Sequence, residues 1–506
     1  MADHSESQTG VIKPGSRATL IDTASRKHQM PDNPEDPDGP LYQKRRQIYP
    51  KLAHGRFRTL KWIGLVLMLG AYYLVPWLRW DRGEGKPNQA VLADFDGERL
   101  YFFGIELWPQ EVYYITGLLV LAALALFLLT SLFGRVWCGY ACPQTVWTDL
   151  FIVVERFFEG DRAARMRLDK APMSANKAWR KTGKHAVWLL IAFATGGALI
   201  LYFHDAPSLA RDFFAGEAPM TAYFFAGVLT FTTYMLAGQM REQVCTYMCP
   251  WPRIQGALTD KHALNVTYRY DRGEPRSPHR KDESWEGRGD CIDCKQCVQV
   301  CPMGIDIRNG TQLECIHCAL CIDACDTMMK QVGRPTGLIA YDTEVAVKAR
   351  SEGKPYRYSL IRARTVLYAV LFAGVGLLMA YGLATRESFE LNVLKDRSPP
   401  FVRLSEGGMR NGYEIKIVNK AAEDRSMRLD VSGFDGLTIK VIGASDTEAP
   451  SQVLPVSGNG VTRYRVLVTH PGDMPRDRLP ITISVTDVVS GETHADMIPF
   501  TGQAER

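Results

Sequence analysis

"CIDCKQCVQVCP", residues Cys291–Pro302, decides how this chain is read. Its cysteines stand at 291, 294, 297 and 301, a C-x2-C-x2-C-x3-C-P run. Three thiolates set two residues apart in one tight loop match three corners of an iron–sulfur cubane, and the fourth belongs to a neighbouring cubane. Immediately outward, "CIHCALCIDACD" repeats the run at Cys315, Cys318, Cys321 and Cys325, with Asp326 in the place of Pro302. The spacing therefore predicts two [4Fe–4S] clusters with crossed ligation. Cys291, Cys294 and Cys297 share one cluster with Cys325, and Cys315, Cys318 and Cys321 share the other with Cys301.

Structural zinc sites use C-x2-C pairs separated by a longer loop, so the triple spacing argues against zinc. Asp326 leaves cluster binding intact, because proline shapes the turn and is not a ligand. His317, inside the second run, reads as a spacer or a hydrogen-bond donor to a cluster sulfur. The spacing is that of bacterial ferredoxins and predicts an α+β insert over 286–340. Two adjacent clusters make a relay that takes and passes one electron at a time.

Further outward lies a second repeat. "GRVWCGYACPQTVW" holds Cys138, Cys142 and Pro143, and "MREQVCTYMCPWPR" holds Cys245, Cys249 and Pro250. Each C-x3-C-P pair follows a basic residue, Arg135 or Arg241, at the end of an apolar run. Positions i and i+4 of a helix share a face, so each pair is expected to act jointly and the four thiols to form one copper or redox site. Soft thiolates suit Cu(I), zinc or iron–sulfur, and Met240 and Met248 add thioethers. The competing structural reading is two inert membrane cysteine pairs, but these would not need matching spacing and proline. No group is singled out as catalytic in its own right.

Five apolar runs reach the roughly 20 residues that a membrane-spanning helix needs. They are Leu60–Leu78, Val112–Phe133, His185–Phe203, Ala222–Met240 and Val366–Ala384. Basic residues precede the first (Lys44, Arg45, Arg46, Lys51, Arg56, Arg58, Lys61) and follow the second, whereas the third loop has only Arg211. The positive-inside bias then predicts a multi-pass protein of the bacterial inner membrane. Its N-terminus and cluster insert are cytoplasmic and its C-terminal block periplasmic.

That block alternates apolar and polar residues in "YEIKIVN" (Tyr413–Asn419), "LTIKVIG" (Leu437–Gly443), "RYRVLVT" (Arg463–Thr469) and "ITISVTD" (Ile481–Asp487). About seven such strands predict an immunoglobulin-like all-β sandwich. The expected organisation is a disordered tail over 1–40, a membrane domain with spans one to four over 41–265, and a linker over 266–285. The cluster insert (286–340), a connector with span five (341–385) and the sandwich (386–506) complete it. The tail, with "MPDNPEDPDGP" (Met30–Pro40), is too polar to bury a core. The net charge of +5 is small for 506 residues and not gathered into one stripe, so nucleic acid is not an expected partner. No cleavable leader is expected near Met1.

Taken together, these residues resemble the CcoG/FixG/RdxA family of cytochrome c oxidase accessory proteins. The resemblance rests on "YQKRRQIYPKLAHGRF" (Tyr42–Phe57), both C-x3-C-P motifs, "ECIHCALCIDACDTMM" (Glu314–Met329) and "GRPTGLIAYDTE" (Gly333–Glu344). The C-x3-C-P pairs are also similar to those of membrane polyferredoxin subunits such as NapH and NosR. The family resemblance implies a cupric reductase that supplies Cu(I) for assembly of cbb3-type cytochrome c oxidase. It also implies copper chaperones or oxidase assembly factors as partners. Two other functions fit the residues: a quinol-linked electron-transfer subunit without copper, and a non-catalytic assembly scaffold.

Overall fold

The computed structural model of the chain describes residues 47–502 apart from 84–85, 281–282, 360, 406, 422, 445–446, 459 and 473–477. The tail expected over 1–40 and the basic residues Lys44, Arg45 and Arg46 lie outside the described residues. Two compact units divide the chain, Met1–Met379 and Ala380–Arg506.

Five helices of the described chain are long and apolar enough to cross a bilayer: Arg56–Trp77, Pro109–Phe133, Ala175–Ile200, Met220–Met240 and Ala363–Ala384. The third begins at Ala175, not His185, because its first turns are helical but basic. Ser174 caps it by accepting from the Lys177 N–H at 3.2 Å, and hydropathy cannot register that polar entrance. The fourth ends in a π-helix, Tyr234–Met240, followed by a second π-turn, Val244–Met248. Such wide turns occur mostly as single insertions and are frequent at functional sites.

Between the first two spans, β1 (Val91–Asp94), β2 (Arg99–Phe102) and β3 (Ile105–Leu107) form an antiparallel sheet. The helix Pro143–Glu159 starts directly after Cys142 and buries Phe151 and Ile152. Phe151 stacks on Trp188 of the third span, with ring centroids 5.3 Å apart.

The cysteine-rich insert is closed by two antiparallel strands, β4 (Asn265–Tyr268) and β5 (Ile339–Asp342). β4 thus lies upstream of residue 286, where the cysteines alone begin the insert. Between the strands stand the helices Gln296–Val300 and Leu320–Gln331. Val266, Tyr268, Ile322, Met329, Leu338 and Ile339 form a core with Cys291, Cys297 and Cys325.

Among the described residues the C-terminal unit has nine strands where about seven were expected: β6 (Phe389–Lys395), β7 (Val402–Arg403), β8 (Met409–Asn419), β9 (Arg425–Ser432), β10 (Thr438–Ile442), β11 (Ser451–Val456), β12 (Gly460–His470), β13 (Arg478–Asp487) and β14 (Thr493–Thr501). One sheet runs β10-β12-β8-β6 with β7 also on β8, and the other β11-β9-β13-β14. All pairings are antiparallel. Strand β8 shows why: Met409, Asn411, Tyr413, Ile415 and Ile417 point inward while the residues between them are half-exposed, the period of two that half-buried strands require. The four segments singled out in the sequence fall on β8, β10, β12 and β13.

Candidate iron–sulfur and thiol centre

The two cysteine runs fold alike. Asp293 and His317, each just before the second cysteine of its run, have φ of 51°. Lys295 and Ala319, each just after it, have φ of 55° and 60°. Left-handed conformations are uncommon outside glycine and collect where function holds them. Here they curl the backbone twice in each run. Turns of this kind aim successive N–H groups into a concavity that suits an anionic group, as at many iron–sulfur sites.

The chain returns so that Cys325 joins Cys291 and Cys297 in one core. Cys301 shares a cavity lining with Cys315, Cys318 and Cys321, and with Cys297, alongside Ile305 and Ile316. Cys301 and Cys325, the fourth cysteines of the two runs, are thus each brought beside cysteines of the other run. Burial, then the neighbouring thiols Cys318 or Cys297, pushes Cys301 and Cys325 upward, Cys301 to about 12. Burial likewise lifts Cys315 and Cys321, and takes Cys297 to about 12. Buried thiols of this kind lose their protons only to a metal that replaces the charge. Among the described residues no three His, Cys, Asp or Glu side chains converge as ligands of a single ion do. Eight thiols in two C-x2-C-x2-C-x3-C runs are the donor set that [4Fe–4S] clusters take.

The C-x3-C-P motifs depart from the helical expectation. The helix Val136–Tyr140 stops after five residues, and Cys142 is extended (φ −63°, ψ 127°) as N-cap of the next helix. Cys245 lies in the π-turn, and Cys249 is likewise extended (φ −80°, ψ 123°). Proline disfavours helical backbone at the residue before it, so Pro143 and Pro250 break the i, i+4 face. Burial is the first cause that lifts the Cys138 and Cys245 thiols to about 12; Cys138 also senses Cys142, Cys245 and Cys249, and Cys245 senses Cys142 and Cys249.

Gln255 and Thr130, which sequence reading passed over, hold this region together with Arg135 and His317. The Cys138 thiol donates to Gln255 Oε1 at 3.1 Å, and Gln255 Nε2 donates to Thr130 Oγ1 at 3.3 Å. Gln255 is fully buried on the helix Trp251–Leu258 that follows the second motif. The Arg135 guanidinium donates to the carbonyls of Leu313 and Pro252. The Arg135 N–H donates to His317 Nδ1 at 2.9 Å. Burial and, next, Arg135 lower His317 to about 3, so the ring is neutral and its Nδ1 is an acceptor.

A buried ionic cluster stands on the helix Pro143–Glu159. Glu155 meets Arg165 at 2.8 Å, Arg241 at 3.0 Å and Lys184 at 3.6 Å. Burial works to raise its carboxyl, but Arg241, Arg165 and Lys184 outweigh it and hold it below the usual range. Asp149 pairs with Arg58 at 2.9 Å. The only available sequence signal was acidic residues spaced along an otherwise apolar helix.

Spans, cluster insert and sandwich define a multi-pass membrane iron–sulfur protein of the oxidoreductase class. Residues 240–344 match the family model for a 4Fe-4S dicluster domain. Residues 115–159 match one for a 4Fe-4S binding domain, and residues 379–503 match the IG-like fold at the C-terminus of FixG. The chain is 50% identical to nitrogen fixation protein FixG of Rhizobium meliloti over 461 residues, covering 86% of this chain and 88% of that one. It is 49% identical to protein RdxA of Cereibacter sphaeroides (89% and 94% covered) and 45% identical to RdxB of the same organism (93% and 99% covered). The chain belongs to the FixG/RdxA family.

Proposed function

We propose that this protein is a membrane cupric reductase that delivers Cu(I) for assembly of a cbb3-type cytochrome c oxidase. What supports the reading is that the Cys138 thiol lies within electrostatic reach of Cys142, Cys245 and Cys249 and donates to Gln255 on the helix that follows the second motif. In the proposal, Cys291, Cys294, Cys297 and Cys325 hold one cluster, and Cys315, Cys318, Cys321 and Cys301 the other. Bound clusters supply one-electron storage and transfer. The four C-x3-C-P thiolates take Cu(II) as substrate, and one electron reduces it to Cu(I), the state soft sulfur ligands favour. The same ligands then hold the product for handover.

The basic loops support an N-terminus and insert on the cytoplasmic side, and with an odd number of spans the sandwich would then be periplasmic. There it would meet copper chaperones or oxidase assembly factors. The test replaces the four C-x3-C-P cysteines by serine. Loss of Cu(II) reduction with both cluster spectra intact supports the reading, and reduction at the parental rate refutes it.

A second reading has its own observation. The 4Fe-4S binding domain model spans 115–159, where the only cysteines are Cys138 and Cys142. The four thiols would then hold an iron–sulfur group rather than copper. Iron analysis separates the two: about eight irons per chain for two clusters, and a clear excess for a further one.

A further inference from the structure

The contact between the first C-x3-C-P motif and the cluster insert is unusually close. A Cβ on Gly139, the residue after Cys138, would lie 2.7 Å from the Ile316 carbonyl oxygen and 3.0 Å from Cys318 N and Cα. Only glycine lets the two backbones touch there. Tyr140 OH donates to the Cys318 carbonyl at 3.1 Å, and Tyr341 OH donates to the His317 carbonyl at 2.6 Å. Cys138 itself packs against the apolar group formed by Ile316, Cys318 and Leu320, beside Cys321. Arg135 ties the Leu313 and Pro252 carbonyls together, and Gln255 ties Cys138 to the second motif's helix. Cys291, Cys297 and Cys325 lie in the core with Val266, Tyr268 and Met329, against which Cys315 and Cys321 also pack, whereas of the insert's cysteines the group that Cys138 packs against holds only Cys318 and Cys321. The two cysteine sets of the insert are therefore not equivalent toward the C-x3-C-P thiols.

We propose that the Gly139–Cys318 contact is where an electron passes from the insert to the C-x3-C-P thiols. The set Cys301, Cys315, Cys318 and Cys321 is then the exit side, and Cys291, Cys294, Cys297 and Cys325 the receiving side. Arg135, Tyr140 and Gln255 are positioning residues that clamp the contact. The inference rests on the cupric reductase reading. Electron tunnelling weakens steeply with distance and follows bonded and hydrogen-bonded paths better than gaps, and the chain provides one such path here. The step balances as one electron. With clusters bound, the set Cys301, Cys315, Cys318 and Cys321 would supply that one electron, which takes thiolate-bound Cu(II) to Cu(I), and no proton or atom would move. An external one-electron donor, a reduced flavoprotein or ferredoxin by class, replaces the electron at the receiving side.

The test uses the full-length protein in detergent, with Co(II) as a thiophilic paramagnet that the clusters do not reduce and Zn(II) as the diamagnetic control. Cys294→Ser and Cys315→Ser proteins, each altering one cluster signal, identify which EPR signal belongs to which set. Thiolate-bound Co(II) is expected to broaden and speed relaxation of the Cys315-set signal and to leave the other nearly unchanged. Broadening of the Cys294-set signal alone, or of neither while the thiolate–Co(II) absorption is present, overturns the inference and leaves copper reduction standing. Absence of that absorption, together with no reduction of Cu(II), sinks the underlying reading and the inference with it.

A kinetic arm adds the positioning residues. Gly139→Ala is expected to slow reoxidation of reduced clusters by Cu(II) by about tenfold or more, at unchanged iron content and Co(II) binding. Tyr140→Phe, which keeps the packing and drops one hydrogen bond, is expected to slow it less. Parental reoxidation rates in both proteins contradict the route.

Discussion

At the scale of single residues, Asp323 links the two halves of the membrane unit. Its carboxylate accepts the Arg58 N–H at 2.8 Å and the Phe57 N–H at 3.3 Å. It therefore caps the start of the first span from a helix more than 260 residues away in sequence. Negative charge and an acceptor at a helix N-terminus together stabilise it. Asp323→Ala is expected to cost about 1–2 kcal/mol, read as an earlier thermal transition in detergent with iron content unchanged. Lys395 gives a pH signature in the sandwich. Burial, then Arg478, lowers its ammonium to about 8 from an ordinary 10.5. Between those values the unfolded chain holds a proton that the folded chain does not, so stability rises with pH across that window. The penalty is full below pH 8. Calorimetry of the full-length protein should show the sandwich transition rising from pH 8 to 10.5, and Lys395→Met should remove that rise. Neither residue was legible beforehand. Asp323 sits in "CIDACD" among cluster ligands, and nothing local says that it reaches Arg58.

At the scale of elements, the helix Pro143–Glu159 carries the most consequential burial of charge. Glu155 has side-chain exposure of 2% and compensates Arg165, Arg241 and Lys184. Removing one member of a buried ionic cluster leaves the others unpaired, typically at about 3–5 kcal/mol. Glu155→Gln should therefore collapse the yield of folded protein in detergent, whereas Arg162, outside the cluster, should tolerate glutamine. What was legible at this scale follows from periodicity and spacing. Five apolar runs, four alternating strands and two cysteine runs carry their signals locally. The C-x3-C-P pairs did not, because the i, i+4 expectation assumed an unbroken helix and Pro143 and Pro250 end it. β4 was missed because "NVTY" (Asn265–Tyr268) is short and its partner β5 lies beyond all eight ferredoxin cysteines. The buried Gln255 and the glycine contact at Gly139 depend on two segments meeting, which no local window contains.

At the scale of the whole molecule, five spans and two unlike polar units divide the work. The proposed sidedness predicts that a reporter active only in the periplasm works when fused after residue 506 and fails when placed between 273 and 290. Deleting 400–506 is expected to leave both cluster signals and Cu(II) reduction intact and to abolish association with oxidase assembly factors. Lost reduction in a folded truncated protein would instead give the sandwich a part in the chemistry. The most direct test of the central claim is anaerobic. The protein is reduced in detergent, Cu(II) is added with a Cu(I)-selective indicator, and cluster absorbance and EPR are followed in the same sample. The account predicts cluster oxidation matched one for one by Cu(I). Clusters that stay reduced in the presence of Cu(II) would contradict it.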